Sequence, residues 1–505
     1  MIRKIHRIKG IIFVLGLLCS ASISAQADAD FSKSLSKAKA TLQLNDCRGA
    51  LEIMDELYQK DSSNVELNYY MGLCFFELHE YEKAEKHFNQ SATSVSLELF
   101  RYKAAAAHAN GKLKKATNFY NGYKIIAGKK DLTNDEVTRF LNQISYAELA
   151  LRNTKNITVE NVGGKINTKF DEYNAYINAD ASSMVFTSDR ENYVHNIYQI
   201  LEMNNGSLVE KSSLNSDKNE IVTGLSSDGN TLHFQKTNKF FIAGNLFMTT
   251  YDIENWATPT ELTKEINSSF DETGASITDD FKTIYFVSSR PGGYGGKDIY
   301  KANRLPDGTW GKAQNLGPII NTPYDEDAPY IASDGKTLYF SSNGHQTMGG
   351  FDLFKATATG ENWSNPENLG TPINTVRDEF SISLSANGKI AYLSSNRENG
   401  FGGTDIYKAI INDPPTNLTV FKGIGFDKKA NSTVVVKATL IDEENNKIVG
   451  IYKAKASTGE FVMIVEPEKT YSILVEADGY HPLKKEMNFD ISKNQKPITF
   501  LLDSK

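Results

Sequence analysis

Two consecutive segments of the chain are written in nearly the same letters. Residues 271–317 read DETGASITDDFKTIYFVSSRPGGYGGKDIYKANRLPDGTWGKAQNLG, and residues 325–370 read DEDAPYIASDGKTLYFSSNGHQTMGGFDLFKATATGENWSNPENLG. Each copy contains an acidic pair, an aromatic run ending in Ser-Ser, a Gly-Gly loop, an Asp-led apolar triplet, a tryptophan and Asn-Leu-Gly. A repeat of about fifty residues, built from short apolar runs and Gly/Asp turns, predicts a β-propeller.

The same markers recur in one register through residues 157–411. An Ile/Leu-Asn pair followed by Asp/Asn-Glu occurs five times, with the asparagines 48, 52, 54 and 53 residues apart, at Asn167, Asn215, Asn267, Asn321 and Asn374. In a second series, an Asn or Asp precedes an apolar and an aromatic residue once in every unit. Its members are Asn196, Asn245, Asp298, Asp352 and Asp405. Each of the three tryptophans lies eleven residues before an asparagine of the Ile/Leu-Asn series; they are Trp256, Trp310 and Trp363. Each unit is interpreted as four strands.

The ends of this region predict how the ring closes. The fifth unit, from Asp378 to Ile411, ends before any tryptophan or outer strand, whereas an unpaired strand pattern, Ile157–Val162, precedes the first unit. Supplying the missing strand from the other end would remove the open sheet edges. We therefore predict five blades, with a six-bladed ring containing one degenerate blade as the alternative. The units resemble the TolB-type, tryptophan-aspartate-like propeller repeat, most closely at Asp327–Ser342.

Residues 31–152 have a helical pattern without proline. Ala50, Ala84 and Ala116 recur at intervals of 34 and 32 residues, and each is followed four residues later by a large side chain. Small residues at such positions allow paired helices to approach closely. The pattern resembles the tetratricopeptide repeat, with its clearest copy at Val65–Ser96. This resemblance implies a small α-solenoid that binds a peptide or partner helix, although a spacer that packs only on its neighbour is equally consistent with it.

A third region, 417–503, follows Asp413-Pro414-Pro415 and has alternating strand patterns separated by Gly turns. It resembles the carboxypeptidase regulatory-like domain, which implies a prealbumin-like β-sandwich. The predicted fold class is thus multidomain, α plus all-β.

Residues 1–27 are expected to be a signal peptide. A basic start is followed by the apolar run Ile11–Cys19 and a small-residue zone that predicts cleavage near Ala25 or Ala27. We therefore expect a periplasmic protein, with association at the outer membrane left open. Cys47 and Cys74 could pair in an oxidising compartment, but two buried thiols are the interpretation we favour. The formal net charge of −7 argues against nucleic acid as a partner.

No nucleophile elbow, zincin motif or Walker loop is present in the sequence, so no catalytic residue, metal site or cofactor is predicted. The acidic pairs recur once per unit and should form a ring near one mouth of the channel. Such a ring could hold a cation or a basic peptide, but carboxylates that fix their own blade are the favoured interpretation. The ring comprises Asp171, Glu172, Glu220, Asp271, Glu272, Asp325, Glu326, Asp378 and Glu379.

The order of the three regions resembles the PorE-type envelope proteins associated with type IX secretion and gliding. That resemblance implies a non-enzymatic periplasmic scaffold whose partners are outer-membrane or periplasmic secretion components. The OmpA-like domain that usually follows in this family is not found before Lys505, so peptidoglycan is not expected as a partner. The alternative is a TolB-like accessory of an outer-membrane uptake or envelope-integrity complex. A glycan-active or peptidase propeller would require a nucleophile or acid/base pair that the sequence does not show.

Overall fold

The computed structural model describes residues 29–505 except 45, 92–97, 128–132, 204–207, 239–243, 253–254, 415 and 490–495, and for 127 and 133–135 only the helical backbone. The predicted signal peptide lies outside the described residues. The chain divides into two compact units, one ending at Ile144 and one spanning Ser145–Lys505. No helix in the described part of the chain carries an apolar stretch long enough to cross a bilayer.

The first part of the chain forms helices, as its periodicity predicts. They are α1 (29–43), α2 (Cys47–Lys60), α3 (Val65–Glu77), α4 (Tyr81–Gln90), α5 (Glu98–Ala109), α6 (Leu113–Ala127) and α7 (Thr133–Ala150). Asn64 caps α3 by accepting a hydrogen bond from the Leu67 N–H at 3.0 Å. A methyl group added at Gly72 would lie 2.5 Å from the Phe88 ring, so α3 and α4 can approach only with glycine there.

The two cysteines of the described residues are free thiols within one apolar cluster. Cys47 on α2 and Cys74 on α3 are both buried and pack in the same group of side chains. Each influences the other: the Cys74 side chain hydrogen-bonds the Cys47 thiol and lowers its pKa, and Cys47 together with burial raises the pKa of Cys74. The structure therefore shows the buried, unpaired arrangement.

Residues 157–411 form five antiparallel sheets, numbered 1 to 5 in chain order, and the second strand of each is buried along most of its length. Sheet 1 contains β2 (Glu172–Ile177), β3 (Met184–Glu191), β4 (Val194–Ile200) and β5 (Glu210–Lys211). Sheet 2 contains β6 (Asn219–Leu225), β7 (Thr231–Thr237), β8 (Asn245–Asp252) and β10 (Thr260–Glu261), with β9 (Asn255–Trp256) paired to β8. Sheet 3 contains β11 (Ala275–Ile277), β12 (Thr283–Ser288), β13 (Asp298–Asn303) and β14 (Gln314–Asn315).

Sheets 4 and 5 follow the same plan. Sheet 4 contains β15 (Glu326–Ile331), β16 (Thr337–Ser342) and β17 (Asp352–Thr359), with β18 (Asn362–Trp363) and β19 (Glu367–Asn368) both paired to β17. Sheet 5 contains β20 (Glu379–Leu384), β21 (Ile390–Ser395) and β22 (Asp405–Ile411), and its fourth strand is β1 (Ile157–Asn161). β1 pairs antiparallel with β22 from Ile157 opposite Ile411 to Asn161 opposite Tyr407, as the unpaired N-terminal pattern predicts.

The first strands of the sheets surround a common axis, which makes the arrangement a β-propeller. β2 contacts β6 and β20, β11 contacts β6 and β15, and β15 contacts β20, so the circuit is closed. Each tryptophan packs back onto the preceding sheet; Trp256 Nε1, for example, donates to Gln199 Oε1 of sheet 1 at 2.8 Å. The residues that repeat in every unit therefore account both for the order of strands in each sheet and for the closure of the ring of sheets.

The asparagine of each Ile/Leu-Asn pair joins one sheet to the next. Asn374 Oδ1 accepts from the Leu353 N–H at 2.9 Å, and its Nδ2 donates to the Leu353 carbonyl at 2.8 Å and to Asn368 Oδ1 at 2.8 Å. The other four asparagines bind the N–H and C=O of the equivalent apolar residue in the same way, at Ile406, Ile197, Leu246 and Ile299. The side-chain amide therefore bonds both main-chain groups of a strand residue, as a residue of a neighbouring strand would.

The last region forms a two-sheet domain at residues 419–502. One sheet contains β23 (Thr419–Asp427), β24 (Ser432–Val434), β27 (Glu460–Val465) and β30 (Ile498–Leu502); the other contains β25 (Lys437–Asp442), β26 (Lys447–Lys453), β28 (Thr470–Glu476) and β29 (Leu483–Asn488). Side chains from both sheets, including Phe421, Leu440, Met463, Ile473 and Phe500, form one apolar cluster. The two sheets consequently pack face to face.

Replacing Asn374 by alanine should destabilise the propeller by roughly 2–4 kcal/mol, because the buried N–H of Leu353 would lose its partner and the Leu353 carbonyl would keep only the Leu369 N–H. Asn365→Ala, at an exposed position of the same sheet, is the matched control. Thermal unfolding of the purified chain measures both. Equal melting temperatures for the two variants would show that the asparagine does not hold the sheets together.

Candidate functional site

The predicted acidic ring separates into two layers with different roles. The five glutamates, Glu172, Glu220, Glu272, Glu326 and Glu379, are 0% exposed. Each carboxylate accepts hydrogen bonds from the N–H and the hydroxyl of the Ser or Thr four residues earlier, at 2.5–3.1 Å. The sequence spacing explains this geometry, because a Ser or Thr four residues before the glutamate can donate both its N–H and its hydroxyl to that carboxylate.

Four of these glutamates also face a cation within their own sheet. The partners of Glu172, Glu220, Glu272 and Glu379 are Arg190, Lys236, Arg290 and Arg397, at 3.0–3.4 Å. In sheets 1, 3 and 5, an arginine nitrogen donates to the carbonyl of the isoleucine in the Ile-Asn pair. In sheet 4, His345 Nε2 takes the position of that nitrogen and contacts the Ile320 carbonyl at 2.8 Å. Burial there raises the pKa of Glu326 to about 6. The glutamate layer is accordingly directed into the sheets and away from solvent.

The aspartates are half-buried and join neighbouring sheets. Asp325 Oδ1 accepts from the Lys297 N–H at 2.9 Å while the Glu326 N–H donates to the Lys297 carbonyl at 2.9 Å. Asp171, Asp271 and Asp378 bind the N–H groups of Thr404, Gly244 and Phe351 of the preceding sheet in the same way, at 2.8–2.9 Å. The structure thus brings all four aspartates to one face, which we call the pair face, with an oxygen of each engaged in closing the ring.

The opposite face carries the turns between first and second strands, and we call it the turn face. Strand β26 of the two-sheet domain lies against it. The Lys453 N–H donates to Asp228 Oδ2 at 2.9 Å, Asn230 Nδ2 donates to the Lys453 carbonyl at 2.9 Å, and the Ile451 N–H donates to the Asp279 carbonyl at 2.8 Å. These contacts fix the domain on the turns of sheets 2 and 3.

Sheets 1 and 5 contribute to the same contact. Ala179 and Ala386, in the turns of these sheets, belong to the apolar cluster of the two-sheet domain. Lys422 Nζ forms an ion pair with Asp180 Oδ2 at 3.0 Å. Because the domain touches turns from four sheets around the axis, it sits over the centre of the turn face and covers that mouth of the channel.

The mouth at the pair face opens into a cavity of about 370 Å³. Its wall includes the residue immediately after each buried glutamate, one from every sheet: Tyr173, Ile221, Thr273, Asp327 and Phe380. Successive strand residues point to opposite sides, so a glutamate directed into its sheet places the next side chain in the channel. These five positions differ in chemistry, whereas the residues around them repeat. They were not among the predicted site residues, although period-two alternation after each Glu was a signal that could have identified them.

Asp327 is the most firmly held polar group of the cavity wall. Its Oδ2 accepts from Lys297 Nζ at 2.8 Å, and its Oδ1 accepts from Thr273 Oγ1 at 3.0 Å and from the Ala328 N–H at 2.8 Å. Nearby, Asp271 Oδ1 accepts from Gln235 Nε2 at 3.0 Å. The site therefore presents preorganised carboxylates beside one ammonium group.

The aromatic part of the wall is also fixed. The Tyr173 hydroxyl hydrogen-bonds to His195 Nδ1 at 2.9 Å, and burial lowers the pKa of this imidazole to about 4, so it stays neutral. The rings of Phe351 and Phe380 lie with centroids 6.3 Å apart.

Within the described residues, no group of three or more His, Cys, Asp or Glu side chains is arranged to hold a metal ion.

No protein-family model matches the chain, and no curated protein matches it either. Solved structures with similarity include TolB from Acinetobacter baumannii, at 15% identity and a TM-score of 0.33, covering 48% of this chain and 55% of that one. A putative TolB from Agrobacterium tumefaciens has 14% identity and a TM-score of 0.33, covering 61% and 96%. A thermostable family-43 glycoside hydrolase has 12% identity and a TM-score of 0.34, covering 48% and 90%. The match covers only about half of the Acinetobacter baumannii TolB chain. The β-propeller assignment rests on the strand pairings and sheet contacts of the present protein.

The contact between the two-sheet domain and the turn face should weaken as the pH rises. At the turn position where the other sheets have Ala179, Ser227, Ser333 and Ala386, sheet 3 has Asp279. Burial raises the pKa of Asp279 to about 7, while an unfolded aspartate titrates near 3.9. The folded protein therefore binds this proton more tightly, and stability is lost as pH rises from about 4 through about 7.

Asp279→Ser removes this titration and should raise the melting temperature relative to the native chain more at pH 8 than at pH 5, by an amount equivalent to a few kcal/mol. Differential scanning calorimetry at the two pH values measures the difference. Glu361→Gln, in an exposed turn of sheet 4, is the control. The same shift at both pH values for Asp279→Ser would contradict the assignment.

Proposed function

We propose that this protein is a non-enzymatic, periplasmic scaffold of a cell-envelope assembly, and that it holds partner proteins through the pair face of its propeller. The observation that carries the proposal is the asymmetry of the two mouths. One is covered by the two-sheet domain, and the other opens into a cavity whose lining differs from sheet to sheet. A site that must recognise a particular partner requires such non-repeating chemistry on a rigid ring.

The proposal includes the finer architecture suggested by the sequence. The helices would form a tetratricopeptide-type solenoid, the sheets a five-bladed propeller, and the two-sheet domain a carboxypeptidase regulatory-like sandwich. With the expected signal peptide, this order supports a PorE-type role in type IX secretion or gliding. Several weak contacts made by linked domains would gain avidity through effective concentration.

The chemistry of the cavity favours binding over catalysis. Ser341 lines it, but its Oγ donates to the main-chain carbonyl of Asp327 at 3.2 Å. The Asp327 carboxylate forms an ion pair with Lys297 Nζ at 2.8 Å. Nucleophilic catalysis needs a base beside the hydroxyl, and the described lining supplies a carbonyl there instead. The cavity therefore holds groups that recognise a ligand, without a base placed to activate that hydroxyl.

Site-specific photocrosslinking in living cells tests the proposal. With p-benzoylphenylalanine at Phe380, in the cavity, we expect covalent capture of one or a few exported envelope proteins, identified by mass spectrometry. With the same group at Glu361, on an exposed turn of sheet 4, these adducts should be absent. No adduct at 380, together with hydrolysis of a polysaccharide or peptide by the purified protein, would overturn the scaffold role.

A further inference from the structure

The cavity at the pair face has two chemically different sides. One side is mostly aromatic and aliphatic and includes Tyr173, Tyr176, Ile221, Phe351 and Phe380, with Asn174 among them. The other is mostly polar and includes Gln235, Asp271, Thr273, Lys297 and Asp327. A ligand that fills it must have an apolar body and a polar end, and its volume of about 370 Å³ lies within the range of small-ligand pockets.

The polar side carries an excess of negative charge. The carboxylate of Asp327, then those of Asp271 and Asp325, raise the pKa of the Lys297 ammonium above its ordinary value. Among the described side chains at this end, the Lys297 ammonium lies with three carboxylates, a formal charge of −2, and the carboxylates of Asp271 and Asp327 line the cavity. A cationic group entering the cavity would therefore meet favourable charge, whereas an anion would be repelled.

We propose that the cavity receives a basic side chain, arginine or lysine, from an extended segment of a partner polypeptide. The methylene stem would lie against Phe351 and Phe380, and the charged end would reach Asp271 and Asp327. Aromatic rings attract such cations, and carboxylates give them charge-assisted hydrogen bonds. The inference rests on the proposed function only in taking the ligand to be part of a protein.

The geometry of the channel also determines how the segment enters. Among the described residues, the two-sheet domain lies over the turn face, so we expect the ligand to enter from the pair face, as a chain end or a protruding loop. A bare metal ion fits less well, because the described residues contain no group arranged for coordination. The aromatic side of the cavity would also contribute nothing to its binding.

Fluorescence anisotropy with the purified protein and labelled nonapeptides tests the proposal. The probes are Gly/Ser peptides with one central arginine, lysine, norleucine or glutamate. We expect the arginine and lysine peptides to bind at least about tenfold more tightly than the norleucine peptide, and the glutamate peptide to bind weakest. Binding should weaken with salt, because the recognition is partly electrostatic.

Three variants sharpen the test. Asp327→Asn and Asp271→Asn should each reduce affinity for the arginine peptide by about tenfold. Lys297→Met should increase it several-fold, because the competing ammonium is gone while the main-chain bonds of Lys297 to Asp325 and Glu326 remain. Glu361→Gln should change nothing, and the melting temperature of each variant checks that it is folded.

Several results would overturn the inference. They are no measurable binding of the basic peptides, equal binding of the norleucine peptide, tighter binding of the glutamate peptide, or loss of affinity in Lys297→Met. If the photocrosslinking at Phe380 nevertheless captures envelope proteins, only the identity of the bound group is wrong. If neither experiment finds binding, the proposed function fails as well.

Discussion

The buried glutamate at the start of each sheet is the constraint on which the propeller depends. A carboxylate at 0% exposure is tolerated only when several donors satisfy its oxygens. Here the backbone N–H and hydroxyl of a preceding Ser or Thr do so in every sheet, and a serine of the second strand joins them in four. These requirements explain why the same polar letters return in every repeat of an otherwise apolar strand pattern.

The glutamate, the aspartate before it and the asparagine before both form one continuous link between sheets. The aspartate accepts an N–H from the preceding sheet, the glutamate N–H returns a bond to the same residue, and the asparagine amide binds the third strand of that sheet. The aspartate and the asparagine use their side chains as if they were backbone, and the glutamate contributes its main-chain N–H. The ring is thus closed by these polar links together with the apolar clusters that neighbouring sheets share.

One position per sheet does not repeat its chemistry. The side chain after the glutamate lines the cavity and is aromatic, aliphatic, hydroxylic or acidic, depending on the sheet. On the opposite face, the turn position that is Ala or Ser in the other four sheets is Asp279 in sheet 3, and its carboxylate accepts a hydrogen bond from the Ser227 hydroxyl at 2.5 Å. One face carries a contact within the chain, and the other carries the cavity that we propose receives a partner.

The sequence by itself determined the repeat, the formation of one antiparallel sheet by each unit, the closing strand that begins at Ile157 and the helical start of the chain, because these depend on local periodicity and on residues close in sequence. It predicted four strands in every sheet, whereas sheets 2 and 4 each have a fifth, the two-residue strands β9 and β18. It also indicated that the acidic pairs could serve their own sheets. Only the tertiary structure decided that the two-sheet domain covers the turn face and that Lys297 stands among three carboxylates. Those facts depend on contacts between residues far apart in the chain, such as Asn230 with Lys453, and no local pattern encodes such contacts.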